Sequence, residues 1–115
     1  MGSQQRMDRN NAYLAVSLAV SLVGYALEIK AEKILQAARG PRNLVHARQA
    51  AMYLTHVGLG MSLSRVAAAF ERDRSTVAHT CHRIEEMRDE SAFDIWLETL
   101  ERGLATVAPL LARVA

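Results

Sequence analysis

Residues 62–85 read SLSRVAAAFERDRSTVAHTCHRIE, and their pattern decides the fold. Leu63, Val66, Ala67 and Phe70 recur at helical spacing, with Ser62 placed to cap the first turn, so a short helix opens there. Glu71, Arg72 and Asp73 interrupt the apolar pattern. Val77, Cys81, Ile84 and Met87 then form a second stripe, and the opposite face carries Thr76, His79, Thr80 and Arg83. A short helix, a polar turn and a longer helix that begins with small hydrogen-bonding side chains make a helix-turn-helix. In that motif the second helix points its N-terminal end into the major groove of duplex DNA.

The rest of the chain suits helices. Of the 115 residues 50% are apolar, 5% are aromatic and only 2 are proline, which predicts a small all-α domain with a single core. A net charge of +2 attracts a polyanion only weakly, yet its distribution is uneven. Arg39, Arg42, Arg48, Arg65, Arg72, Arg74 and Arg83 lie in the middle, and Glu85, Glu86, Asp89, Glu90, Asp94, Glu98 and Glu101 follow. That order implies a basic face beside an acidic C-terminal part. The lone Cys81 excludes an intramolecular disulfide and sits on the apolar stripe, where it reads as core. His79, Cys81 and His82 do not share a helix face, so no metal is expected. No GxxxxGK[ST] loop occurs, and neither a cofactor nor an enzymatic activity is expected.

Ala12 to Leu27, AYLAVSLAVSLVGYAL, is almost continuously apolar and follows Arg6 and Arg9. The run is shorter than the roughly 20 residues that cross a bilayer, and no small-x-small cleavage site leads into a cysteine-paired domain. A buried helix of a cytoplasmic protein is the expectation, with no membrane contact. Residues 1–10 are expected to be a disordered lead or an expression scar, 11–108 the domain, and 109–115 a hydrophobic tail. After Gly24 the pattern LEIKAEKILQAARG predicts a bend and a short helix ending at Gly40, and Gly40-Pro41 marks a loop.

A helix from about Asn43 to Val57 follows, with Arg48 and Gln49 on its polar side and Gly58 and Gly60 closing it. The last helix, Ser91 to Val107, aligns Phe93, Trp96, Leu97, Leu100, Leu104 and Val107 on one broad face. Leu110, Leu111 and Val114 of the tail either pack on the first helix or dock a partner protein or a second copy.

The blocks ARQAAMYL (47–54), SL (62–63), AF (69–70) and RDRSTVAHTCHRIE (72–85) resemble, in the same order, the C-terminal DNA-binding domain of the bacterial replication initiator DnaA. The similarity runs from Leu22 to about Leu100. This chain departs from the family pattern at Glu71, which replaces two glycines, at Arg74 for histidine, Ser75 for threonine, His46 for arginine and Ala47 for proline. The resemblance implies sequence-specific binding of double-stranded DNA by a cytoplasmic, nucleoid-associated protein, in replication initiation or in transcription regulation. Two contexts fit it: the domain of a longer protein, or a stand-alone DnaA-like regulator such as those that activate gene transfer agents.

The resemblance also implies roles. Arg74, Ser75 and Thr76 would meet base edges, with Asp73 orienting the turn or accepting from a cytosine amine; Arg39 and Arg42 would lie near the minor groove; Arg48, Gln49, Arg65, His79 and Arg83 would hold phosphates. The residues alone leave other readings open, with Arg39 and Arg42 in a solvated loop and Arg74 on a phosphate or paired with Asp73. The alternative function is a protein-interaction module that docks a transcription partner through its hydrophobic termini.

Overall fold

The apolar run near the start of the chain becomes the spine of the molecule, α1 (Gly2–Leu27). The computed structural model describes the backbone of residues 2–36 and 40–110 and the side chains of residues 12–36 and 40–110; Arg39 and residues 111–115 of the tail lie outside the described residues. Val16, Ala19, Val20 and Val23 face the core from α1, the spacing of one helical stripe. Tyr25 stands on the other side, 85% exposed, and Tyr13 is 72% exposed at the edge of the stripe.

The turn after α1 comes later than the sequence pattern predicts. The helix runs through Gly24 and ends at Leu27, and Glu28 takes the left-handed conformation with φ 57°. The Ile29 N–H then donates to the Gly24 carbonyl at 2.9 Å, the long closing bond of a Schellman turn. Gly24 is required by close approach, because a Cβ there would meet the Ile29 carbonyl oxygen at 2.4 Å. α2 (Ala31–Gln36) is anchored by the fully buried Ile34.

α3 (Arg42–Tyr53) begins after Pro41, whose carbonyl receives the Leu44 and Val45 N–H groups at 3.0 and 3.2 Å. Its last turn, Leu54–Gly58, widens to π geometry, with the Leu59 N–H reaching back to the Leu54 carbonyl at 3.0 Å. The expected helix to Val57 therefore exists but changes its hydrogen-bond register after Tyr53. α4 (Leu63–Phe70), α5 (Arg74–Met87) and α6 (Ser91–Val107) complete the chain. α6 has the bounds that its apolar face predicts, with Leu97, Leu100 and Leu104 buried and Phe93 and Trp96 stacked at 5.9 Å between ring centroids. Val107 and Leu110 are 40% and 55% exposed.

α1 packs against α2, α3, α4 and α6, and α3 packs against α5. Tyr53, Leu54, Ile34, Val66, Val77 and Leu97 fill the shared centre. A radius of gyration of 13.7 Å matches that of one compact core, since a chain of this length is expected at about 13 Å. The fold is all-α. Among the described residues, no helix is long and apolar enough to cross a membrane, and no group of three or more His, Cys, Asp or Glu is placed to hold a metal ion.

Candidate nucleic-acid interface

The helix-turn-helix unit is built from α4, a tight turn and α5. Ser62 caps α4 as its position requires, its Oγ accepting the Arg65 N–H at 3.2 Å. Val66, Ala67 and Phe70 hold the helix to the core. α4 stops because Glu71 enters the left-handed region at φ 53°. The Glu71 and Arg72 N–H groups then return to the carbonyls of Ala68 and Ala67 at 3.3 and 2.9 Å, a second Schellman closure. The Arg72 guanidinium donates to the carbonyls of Phe70 and Glu71 at 3.3 and 3.0 Å, bracing the turn from outside.

Asp73 occupies the N-cap of α5 in extended geometry, and its side chain makes no capping bond. The first turn therefore offers its backbone N–H groups beside the exposed side chains of Arg74, Ser75 and Thr76. Among the described residues Asp73 and Arg74 form no ion pair with each other. Thr76, His79 and Arg83 continue the exposed face at helical spacing, while Val77, Cys81 and Ile84 are buried behind it. Thr80 corrects the sequence reading: it is 6% exposed and belongs to the core side.

The start of α3 lies beside this face. Gly40, Arg42, Val45, His46 and Gln49 line one shallow cleft together with Arg83 of α5. Three of the expected contact residues, Arg42, Gln49 and Arg83, are thus brought together, and His46 joins them. Arg65 is exposed elsewhere, in a groove that α4 forms with Tyr13 and Ser17 of α1. Arg39 lies outside the described residues.

Arg48 does not stand on an open polar face. It is 4% exposed, and its Nε donates to the Ile34 carbonyl at 3.1 Å, tying α3 to α2. Burial first, and the neighbouring Arg72 charge second, lower its pKa from the ordinary arginine value. The sequence pattern missed this because Arg48 lies between Ala47 and, two residues on, Ala50, whose small side chains let a long stem lie inward.

A polar lock fixes α5 against α3 and α6. The fully buried Tyr53 donates its hydroxyl to Glu85 Oε1 and accepts from Arg88 Nη1 at 3.1 Å. Arg88 also holds Asp94 at 2.6 Å and Glu101 at 2.9 Å, both on α6. Burial, reinforced by the Glu85 bond and opposed by Arg88, pushes the Tyr53 phenol up to about 12. The bond to Glu101, set against a smaller desolvation effect, raises the Arg88 pKa further above the ordinary arginine value. No local spacing signals this lock, since its members come from three helices.

An apolar helix pair closed by a tight turn, with the outer helix presenting a polar N-terminal face, defines a helix-turn-helix domain. Residues 17–84 match the family described as the bacterial dnaA protein helix-turn-helix, and the chain belongs to that family. It is also 37% identical over 59 residues to the chromosomal replication initiator protein DnaA of Pseudothermotoga lettingae, covering 51% of this chain and 13% of that protein. The chain therefore matches only a small part of its relative's length. The matched family is not an enzymatic one.

Proposed function

We propose that this chain binds double-stranded DNA in a sequence-specific manner, with α5 in the major groove and the start of α3 on the adjoining backbone. The observation that carries this reading is the exposed row Arg74, Ser75, Thr76, His79 and Arg83 on α5, continued by Arg42 and Gln49 across a shared cleft. Arg74, Ser75 and Thr76 would address base edges, with Asp73 free to accept from a cytosine amine. Arg42, Gln49, His79 and Arg83 would address phosphates, Arg65 would add an outlying contact, and Arg39 would extend the basic loop toward the minor groove. Arg48 serves this interface by holding α3 to α2.

The matched relative is a chromosomal replication initiator, so the reading extends to a cytoplasmic, nucleoid-associated factor of replication initiation or transcription regulation. Binding of a labelled duplex, followed by anisotropy across salt concentrations, tests it. Arg42, Arg65 and Arg83 as phosphate neutralisers imply a log–log slope of about −3. A slope near zero sinks the DNA reading. The exposure of Val107 and Leu110 favours a second reading, docking of a protein partner or a second copy at the C-terminal end; a strictly monomeric chain in sedimentation equilibrium removes the second-copy form of it.

A further inference from the structure

The cleft between α3 and α5 is lined by two arginines, Arg42 and Arg83, by Gln49, and by one imidazole, His46, which is exposed. Among the described residues no carboxylate lines it. The nearest acidic side chains of α5 are engaged elsewhere, Glu85 with Tyr53 and Glu86 with His82. On its other side His46 borders an apolar hollow formed by Leu27 of α1, Ile84 and Met87 of α5 and Phe93 and Trp96 of α6, none of which carries charge. Among the described residues the charged side chains that line the cleft with His46 are Arg42 and Arg83. A phosphate seated in the cleft would meet both guanidiniums and the imidazole, and its negative charge favours the imidazolium form while it is bound.

We infer that His46 couples DNA binding to pH: a backbone phosphate in this cleft is held by Arg42, Arg83 and a protonated His46, so the duplex takes up a proton as it binds. This rests on the DNA reading given above. The sign follows from mass action. The bound state holds more protons than the free state, so affinity rises as pH falls and declines as pH rises through the range in which imidazole changes charge. His79, exposed on α5, is a second imidazole on the same face and must be separated from His46 by the test.

Anisotropy titrations of the full chain with one labelled duplex at fixed ionic strength, at pH 6 and pH 8, supply that test. The expected result is an affinity about three- to tenfold higher at pH 6, in line with uptake of up to one proton. His46→Gln should be nearly flat in pH and weak throughout, His46→Arg nearly flat and tight throughout, and His79→Gln should keep most of the pH dependence. Thermal melts of each variant at both pH values separate lost binding from lost fold. Duplex binding that is flat in pH, or a His46→Gln variant that keeps the unmodified chain's pH dependence, overturns the inference while leaving the DNA reading intact. No duplex binding at either pH overturns both.

Discussion

Glu71 sits at φ 53°, where an L side chain costs about 1 kcal/mol or more and glycine almost nothing. The Schellman closure needs that conformation to release the chain into Arg72 and Asp73, so the strain belongs to the turn and not to the glutamate's own contacts. Glu71→Gly should raise stability by about 0.5 to 1 kcal/mol after allowing for glycine's extra freedom in the unfolded chain, an increase in Tm of about 3 to 6 °C. Glu71→Ala keeps the strain and removes the charge; if it stabilises equally in thermal melts, backbone geometry is not the cause. Arg48 makes the opposite case. Removing the guanidinium that ties α3 to α2 leaves the buried Ile34 carbonyl without that donor, and Arg48→Ala should cost about 1 to 3 kcal/mol in urea unfolding. An unchanged midpoint would return Arg48 to the list of surface contacts.

At the level of elements, Tyr53 joins α3 to α5 and, through Arg88, to α6. Its phenol is held neutral in the fold up to about pH 12, whereas a phenol in the unfolded chain ionises near 10. Stability that depends on the neutral form is thus fully present below about pH 10 and is lost between about 10 and 12, by up to about 2 kcal/mol. Tyr53→Phe should be somewhat less stable at neutral pH but lose this alkaline slope. Cys81, pushed up to about 11 by burial and secondarily by Glu85, titrates in the same window in both proteins, so the difference between their urea midpoints at pH 8, 10 and 11.5 isolates Tyr53. Parallel profiles would refute the assignment. Local periodicity made α4, α5 and α6 legible in the sequence, because each turns one apolar stripe to the core and α4 carries a readable start signal in Ser62. It could not show that α3 widens after Tyr53, nor that Arg48 and Thr80 turn inward. Those outcomes depend on the space between helices, which no spacing along one helix encodes.

Across the whole molecule, one end of α5 faces outward and the other is locked to α3 and α6, so the reading end is held on a rigid frame. Such a frame lets the proposed base contacts and phosphate contacts be separated by substitution, because neither set of residues is needed to hold the other in place. Arg74 is exposed at the first position of α5 and pairs with no neighbouring carboxylate among the described residues. Its planar fork can bridge O6 and N7 of a guanine, a contact that discriminates by about 1 to 3 kcal/mol. Arg83 lies about two and a half turns further along, in the cleft with Arg42, where its proposed partner is a phosphate. Arg74→His should therefore shift or relax the preference at one base step and leave the salt slope nearly unchanged. Arg83→Ala should weaken every sequence alike and make the slope shallower by about one unit. Selection from randomised duplexes, run with both variants and paired with salt titrations, decides the matter: a uniform loss of affinity in Arg74→His with the selected sequence unchanged would move Arg74 from the bases to the backbone.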